Sequence, residues 1–542
     1  MDETVDFVVV GSGGGSMCAG LVLRQAGKSV LILEKTDLVG GSTARAGGVM
    51  WIPDNRFLRA DGIADSAEQA ERYLDATVGV LGDAPGTSPE RRRTYVRQAS
   101  HMIDFLCAQG IRLRRGPYWP DYYDERPGGI EQGRTVVAEL FDARELGGWA
   151  DKLRPNNIQV PAPFEDLFKL TLFKRSWRGR LAIVRTGLRI ALARLTGKRW
   201  IIGGAALQGR MLQAAMRAGV EIRLDSPVEE VILEHGAVTG VVVRTPAGQR
   251  RIGARLGVLL NAGGFAHNQA MRDQYIPDTS TEWTHAAPGD TGDMHREMMR
   301  IGAAMGQMDE IIGNQMTVPP DAGPQAAQQQ LGKPHAFMVD QMGTRYMNEG
   351  GSYMEFCQQV LKRHRDVPAI PSWMIFDSRF MADYMLGNTM PGTAKPQRWF
   401  DEGYLRRGST IEDLATACGI DPAVLHTTTE RFNRFAERGV DKDFGRGARA
   451  YDRFLGDFTH GPNKALGTVA QAPFYAVPIV PGDVGTFGGV VTDCEARVLR
   501  QDGSVIPGLY ATGTTTASVM GRAYSGAGSS IGPSFTWGYV AA

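Results

Sequence analysis

The feature that most restricts this chain is its first forty residues, where an apolar run breaks on glycines, resumes as a helix and ends one strand later in an acid. Asp6 to Val10 reads as a short, buried parallel strand. Gly11-Ser12-Gly13-Gly14-Gly15-Ser16 follows at once, Met17 to Ala26 has helix-forming composition, and Ser29 to Leu33 is a second strand that ends at Glu34. Each part has a physical use. Gly11 permits the tight turn, and Gly13 lets the backbone approach a pyrophosphate. The helix start, with Gly14, Gly15 and Ser16, offers free N–H groups and a partial positive charge. Glu34 is placed to accept hydrogen bonds from a ribose. Ser16 stands where Gly or Ala is usual, and it is small enough for close helix–strand packing. A glycine-rich turn with no ligand is the plain alternative, but strand, helix and acid in register favour a dinucleotide.

At 542 residues the chain exceeds one compact core, so two or more domains are expected. The formal net charge of +1 argues against nucleic acid as a main partner. Five cysteines stand far apart without a CxxC pair, which fits a reduced cytoplasmic protein and offers no zinc framework. The N-terminus has no basic leader ahead of an apolar core, and no run of apolar residues is long enough to span a bilayer. No metal site is expected: HExxH and HxxxH spacings are absent.

Further along, Ala67 to Thr77 and Arg91 to Gln109 carry apolar residues at helical spacing, and Gly203 to Ala218 reads as another helix. Strands are expected at 222–224, 228–233, 238–244 and 251–260, a β-meander that ends in Asn261-Ala262-Gly263-Gly264-Phe265. Between about 281 and 473 periodicity weakens, which suggests an inserted cap. The glycine-rich style returns at Gly488-Gly489 and at Pro507 to Gly513. The expected fold is α/β: a Rossmann-like dinucleotide-binding domain with a β-meander over 1–282 and 474–542, and an inserted α+β catalytic cap over 283–473.

Residues 165–199 hold ten Lys or Arg against Glu165 and Asp166. Leu181, Val184, Leu188, Ala191, Leu192 and Leu195 fall on one helical stripe, and Phe164, Phe168, Phe173 and Trp177 precede them. This composition suits a helix lying on an anionic membrane surface. A stripe packed onto the protein body, with a solvated basic face, is the ordinary alternative.

Gly40-Gly41-Ser42-Thr43 and Gly47-Gly48 form a second glycine loop soon after Glu34. This arrangement resembles the FAD-dependent fumarate reductase and ketosteroid dehydrogenase group, where the loop lies along the flavin. No second strand–GxGxxG–helix unit follows, so a built-in NAD(P)H domain is not expected and an external electron acceptor, such as a quinone, is. Three segments then resemble the 3-ketosteroid Δ1-dehydrogenase family. They are Tyr524 to Gly528 within Val519–Pro533, Arg345-Tyr346-Met347-Asn348-Glu349 followed by Tyr353, and Trp119-Pro120-Asp121-Tyr122.

The resemblance implies FAD as cofactor and a 3-ketosteroid as substrate. It also implies that Tyr524 and the Gly528 N–H bind the C3 carbonyl, that Tyr353 takes the C2 proton, and that Tyr122 supports Tyr353, with Tyr118 and Tyr123 leaving that register open. Hydride from C1 then passes to flavin N5. The same resemblance adds Lys35, Val228, Gly513, Ser529 and Ile531 to the expected FAD contacts, beside Ala262, Gly263 and Gly264. Three other readings stay open. One is a Δ4-(5α)-dehydrogenase using Tyr475. Another is a fumarate or enoate reductase using His267, His285, His295, Arg296 or Arg522. The last is a non-catalytic flavoprotein held at the membrane. The expected location is cytoplasmic, with peripheral attachment to the inner face of the membrane through 165–199.

Overall fold

The computed structural model describes residues 1–542 except 83, 117 and 118. Valine-rich runs buried on both faces build a central parallel sheet, as β-branched residues without polar alternation dictate. Strand Glu3–Val10 lies between Val30–Leu33 and Gly248–Leu260, parallel to both. Val8 pairs with Leu31 on one side and Val258 on the other. Strands Glu221–Arg223 and Val505–Ala511 extend the sheet outward, and the meander Val228–Glu234, Ala237–Thr245 runs antiparallel into the start of Gly248–Leu260. The expected helices form at Gly14–Gln25, Ala67–Thr77, Pro89–Ala108 and Gly203–Arg217.

The helix Gly14–Gln25 packs against the C-terminal helix Ile531–Ala541 at unusually close range. A Cβ on Gly14 would lie 1.8 Å from the Phe535 ring, and one on Gly15 would lie 2.4 Å from the Ser534 carbonyl oxygen. These two glycines are therefore required by helix–helix contact. That contact holds the C-terminal segment over the nucleotide-binding turn.

A second, six-stranded sheet contains Ile311–Thr317, Ala336–Val339, Ser372–Asp377, Arg406–Gly408 and the long strand Phe474–Thr486. That last strand pairs within the second sheet along its whole length, although the sequence reading ends the cap at residue 473. By strand pairing, the chain returns to the first sheet only after Thr486. The cores of both sheets are apolar and closed, and one cluster of buried aromatics and aliphatics runs across the seam between them, including Met50, Trp51, Tyr122, Met354, Tyr451, Phe487 and Tyr524.

Candidate active site and cofactor cavity

A cavity with about 1100 Å³ of unfilled space, open solvent at its mouth included, lies at the C-terminal ends of the parallel strands, where ligands of open α/β sheets bind. Of the sequence-predicted cofactor residues, Gly11, Gly13, Glu34, Lys35, Gly41, Ser42, Thr43, Val228, Ala262, Gly263, Gly513 and Ile531 line it. Gly14, Gly15, Ser16, Gly40, Gly47, Gly48, Gly264 and Ser529 are not among its wall residues. They shape the cavity from behind. Gly14 and Gly15 pack on the C-terminal helix. Ser16 Oγ accepts from Asn261 Nδ2 at 3.0 Å, and the Gly40 N–H donates to Ser12 Oγ at 2.9 Å. Gly47 approaches Phe164, Gly48 is pressed against the backbone of Gly203 and Gly204, the Gly264 N–H donates to Asp290, and Ser529 Oγ bonds the Gly526 carbonyl at 2.8 Å.

Glu34 is buried and already well supplied with donors. Ser12 Oγ donates to it at 2.6 Å and Thr36 Oγ1 at 2.8 Å, with help from the Ser12 and Thr36 N–H groups. A carboxylate has about four acceptor sites, so these bonds fix its orientation at the cavity wall. Lys35 Nζ donates to Thr291 Oγ1 at 2.8 Å and Asp293 Oδ2 at 2.6 Å. Sequence reasoning missed Ser12, Thr36, Arg154, Ser226, Asn261, Asp290, Asp293, Thr514, Ser530 and Ser534, all of which line the cavity. Arg154 Nη2 donates to Thr36 Oγ1 at 2.8 Å, while its buried Nε has no partner among the described residues. An unpaired buried donor costs free energy unless an acceptor reaches it. With the N–H groups of the Gly14–Gln25 first turn, this donor set fits a long, anionic dinucleotide.

Beside the cavity, four tyrosines from distant parts of the chain meet. Tyr122 sits in the turn after Pro120, Tyr353 begins the helix Tyr353–Asp366, Tyr451 lies in the short helix Ala450–Leu455, and Tyr524 belongs to the glycine-rich C-terminal loop. Ring centroids lie 4.7 Å apart for Tyr353 and Tyr524, 5.4 Å for Tyr122 and Tyr353, and 4.0 Å for Tyr122 and Tyr451. Tyr353 is half-buried while the other three are buried, so Tyr353 keeps surface facing open space. Tyr451 had no local sequence signal. Tyr118 lies outside the described residues. Tyr123 packs between Arg126 and Arg449 instead of joining the cluster.

The loop carrying Tyr122 is rigid for a visible reason. Its N–H donates to the Ser525 carbonyl at 3.0 Å, and the neighbouring Asp121 is buried, paired with Arg134 and hydrogen-bonded by Trp51 Nε1 at 2.8 Å. Arg134 is held in turn by Asp65. Gly528 is equally constrained. Its φ is +98°, and a Cβ there would lie 2.4 Å from the Val49 carbonyl oxygen.

Tyr524 Oη lies 3.0 Å from Ser530 Oγ. Burial raises the Tyr524 pKa, opposed by the Ser530 hydroxyl, Tyr353 and the Ser530 and Gly528 N–H groups. The Gly528 N–H and the Tyr524 hydroxyl oxygen are thus close neighbours. Burial pushes Tyr353 well above the ordinary phenol range, reinforced by Tyr122 and Tyr524 and by a hydrogen bond to Tyr524 that favours its protonated form. Tyr122 is also raised by burial, opposed by hydrogen bonds with Tyr451 and Tyr353. At neutral pH the cluster is a set of neutral hydroxyl donors, suited to a carbonyl oxygen.

The residues of the competing readings lie elsewhere or are committed. Tyr475 packs on Phe376 in the second sheet's core. His267, His285 and His295 each bond a backbone carbonyl, of Ala286, Pro324 and Gly488. Arg522 is paired with Asp309 and Glu310, and Arg296 with Asp293. Among the described residues no group of His, Cys, Asp or Glu could hold a metal ion.

Comparison with known proteins identifies the family. The FAD binding domain family matches residues 6–531. A 3-oxosteroid 1-dehydrogenase of Mycobacterium tuberculosis is 39% identical, with all of this chain and 98% of that protein covered. A 4-oxocyclohexanecarboxylate 2-dehydrogenase of Sinomonas cyclohexanicum is 33% identical over 99% of this chain and 92% of its own length. Among solved structures, the 3-ketosteroid Δ1-dehydrogenase of Sterolibacterium denitrificans in complex with 1,4-androstadiene-3,17-dione superposes with a TM-score of 0.93, at 34% identity, covering 99% of this chain and 98% of that one.

Proposed function

This chain belongs to the FAD binding domain family, within its 3-oxosteroid 1-dehydrogenase branch, and from that premise we propose how its residues divide the work. It is an FAD-dependent oxidoreductase acting on CH–CH bonds, and its reaction is the 1,2-desaturation of ring A of a 3-oxosteroid. Bound in the cavity, FAD supplies the two-electron acceptor. The Tyr524 hydroxyl and the Gly528 N–H hold the C3 carbonyl oxygen. As the C2 proton leaves, negative charge gathers on that oxygen, and two fixed donors in a desolvated site stabilise it more than they stabilise the ketone. Tyr353 takes the C2 proton. Its half-open position lets it exchange that proton with water, and Tyr122 orients its hydroxyl from the rigid Trp119–Asp121 loop.

The observation that carries this reading is the approach of Tyr353 to Tyr524 beside the Gly528 N–H at the edge of the cofactor cavity. A monocyclic keto acid is disfavoured as substrate, because Arg522, the cation nearest in sequence to Tyr524, is already paired with two acids. We take the external acceptor to be a small oxidant such as a quinone, and the basic segment 165–199 suits an anionic membrane surface where such a molecule partitions. Anaerobic mixing of the FAD-loaded protein with 4-androstene-3,17-dione tests the reading: the oxidised-flavin band bleaches and a Δ1 product appears. Bleaching by succinate or by a 5α-saturated ketosteroid alone would overturn it.

A further inference from the structure

The basic segment folds as two helices, Phe164–Leu170 and Trp177–Thr196. The longer one touches the protein along a narrow seam, with Gly179, Ala182 and Thr186 buried. Gly179 makes the seam possible, since a Cβ there would lie 2.6 Å from the Lys169 carbonyl oxygen. Roughly half a turn away, at 3.6 residues per turn, the apolar stripe faces outward. Leu188 and Leu192 are each 59% exposed, and Leu195 is 84% exposed, with Trp177 and Val184 continuing the ridge. The sequence alternative of a stripe packed on the body is therefore reversed. A helix normally buries that face, and a continuous exposed ridge marks a binding surface.

Cations flank the ridge on both sides. Arg178 and Arg185 lie on one side, Arg180 and Arg194 on the other. Carboxylates in reach pair with Lys169, Arg175 and Arg199. Among the described residues the four flanking arginines have no carboxylate partner. At the helix C-terminal end, Arg194, Lys198, Arg199 and Trp200 border an open groove, with Lys198 Nζ 5.0 Å from the Trp200 ring. Cations and tryptophan around an apolar face match the boundary between acyl chains and anionic headgroups. A second copy of the chain would bring the same cations against themselves. No helix among the described residues is long and apolar enough to cross a membrane, so the element lies on the surface.

The shorter helix ties this element to the active site. Phe164 and Phe168 pack on Trp119 at 5.7 and 5.2 Å, Phe168 on Phe454 at 4.7 Å, and Tyr451 joins Phe454 to Tyr122. We propose that residues 164–200 are a docking element that seats the enzyme on an anionic phospholipid bilayer, with the Trp177–Leu195 ridge inserted and the tyrosine cluster held beside the lipid in which its substrate dissolves. This deepens the membrane and steroid readings given above and rests on them.

The test uses the FAD-loaded full chain and two kinds of vesicle, phosphatidylcholine alone and phosphatidylcholine mixed with phosphatidylglycerol. The wild type floats with the anionic vesicles at least about tenfold more tightly than with neutral ones, and the difference shrinks in high salt. L188E/L192E weakens binding to anionic vesicles by about 100-fold or more. R178Q/R185Q/R194Q removes the anionic preference. Both variants keep wild-type flavin bleaching with steroid delivered on cyclodextrin, because these side chains are exposed and distant in the chain from the catalytic groups. Wild type that ignores both vesicles, variants that float like wild type, or a ridge variant that instead dissociates a dimer would each overturn the docking proposal. Docking without any steroid-dependent bleaching would leave it standing and reject the substrate.

Discussion

Replacing Tyr524 by Phe removes one oxygen and little else. The ring keeps its packing against Tyr353, Tyr122 and Phe487, at centroid distances of 4.7, 5.9 and 6.2 Å. The group is buried, so no water takes the hydroxyl's place at low cost. In the ground state the ketone loses one neutral hydrogen bond, about 1 kcal/mol, which weakens steroid binding by less than about tenfold. In the transition state the developing enolate loses one of two fixed donors. Such losses run to about 3 kcal/mol or more, or about 10²- to 10³-fold in rate. The two numbers are the point of the experiment. Single-turnover flavin reduction, followed anaerobically over a range of steroid concentrations, separates binding from chemistry. The expected variant binds within about tenfold of wild type and reduces its flavin at least about 100-fold more slowly. A variant whose rate falls no more than its affinity would show that Tyr524 holds ketone and enolate alike, and the oxyanion assignment would fail.

Three further outcomes are expected. Tyr353→Phe keeps bound FAD but loses about 10²- to 10⁴-fold in the reductive step, and an unimpaired rate would reject Tyr353 as the base. Because the protein holds the Tyr353 phenol above its ordinary range, the reactive phenolate fraction grows with pH, so the reductive rate climbs steadily from neutral to alkaline pH; a flat profile speaks against this assignment. Lys333 is buried against the Leu455 and Gly456 carbonyls and its pKa is lowered to about 8 by burial. The unfolded chain therefore holds this proton more tightly, and stability gains up to about 3 kcal/mol as pH rises from about 8 to about 10.4. That gain is absent in Lys333→Met, as denaturant titrations at several pH values would register.

The nucleotide-binding turn was readable because its parts are neighbours in the chain: strand, glycines, helix and acid lie within residues 6–34. The rest of that cavity was not, because Arg154, Ser226, Asn261 and Ser530 come from loops that only the parallel sheet brings together. The same distance effect explains Gly14 and Gly15. Locally they look like phosphate-facing glycines, and only the C-terminal helix, more than five hundred residues later, shows what crowds them. Three of the four clustered tyrosines were visible through short flanking motifs. Tyr451 was not, since it begins a six-residue helix in a stretch with weak periodicity. The strand Phe474–Thr486 misled because its glycine-rich end resembles the segments that follow it. Whether the stripe at 181–195 faced inward or outward was undecidable from periodicity, which reports that a face exists and not what covers it.

The tyrosine cluster straddles the seam between the two sheets. Tyr122, Tyr524 and Gly528 stand on the side of the parallel sheet, whereas Tyr353 starts a helix that packs on the second sheet. Flavin retention and turnover should thus be lost separately. Loosening the seam leaves a yellow protein that still grips a ketone but has no base opposite it. Colour alone would then overstate how much of a preparation is competent, and titration of active sites by single-turnover product would give a lower count than flavin absorbance.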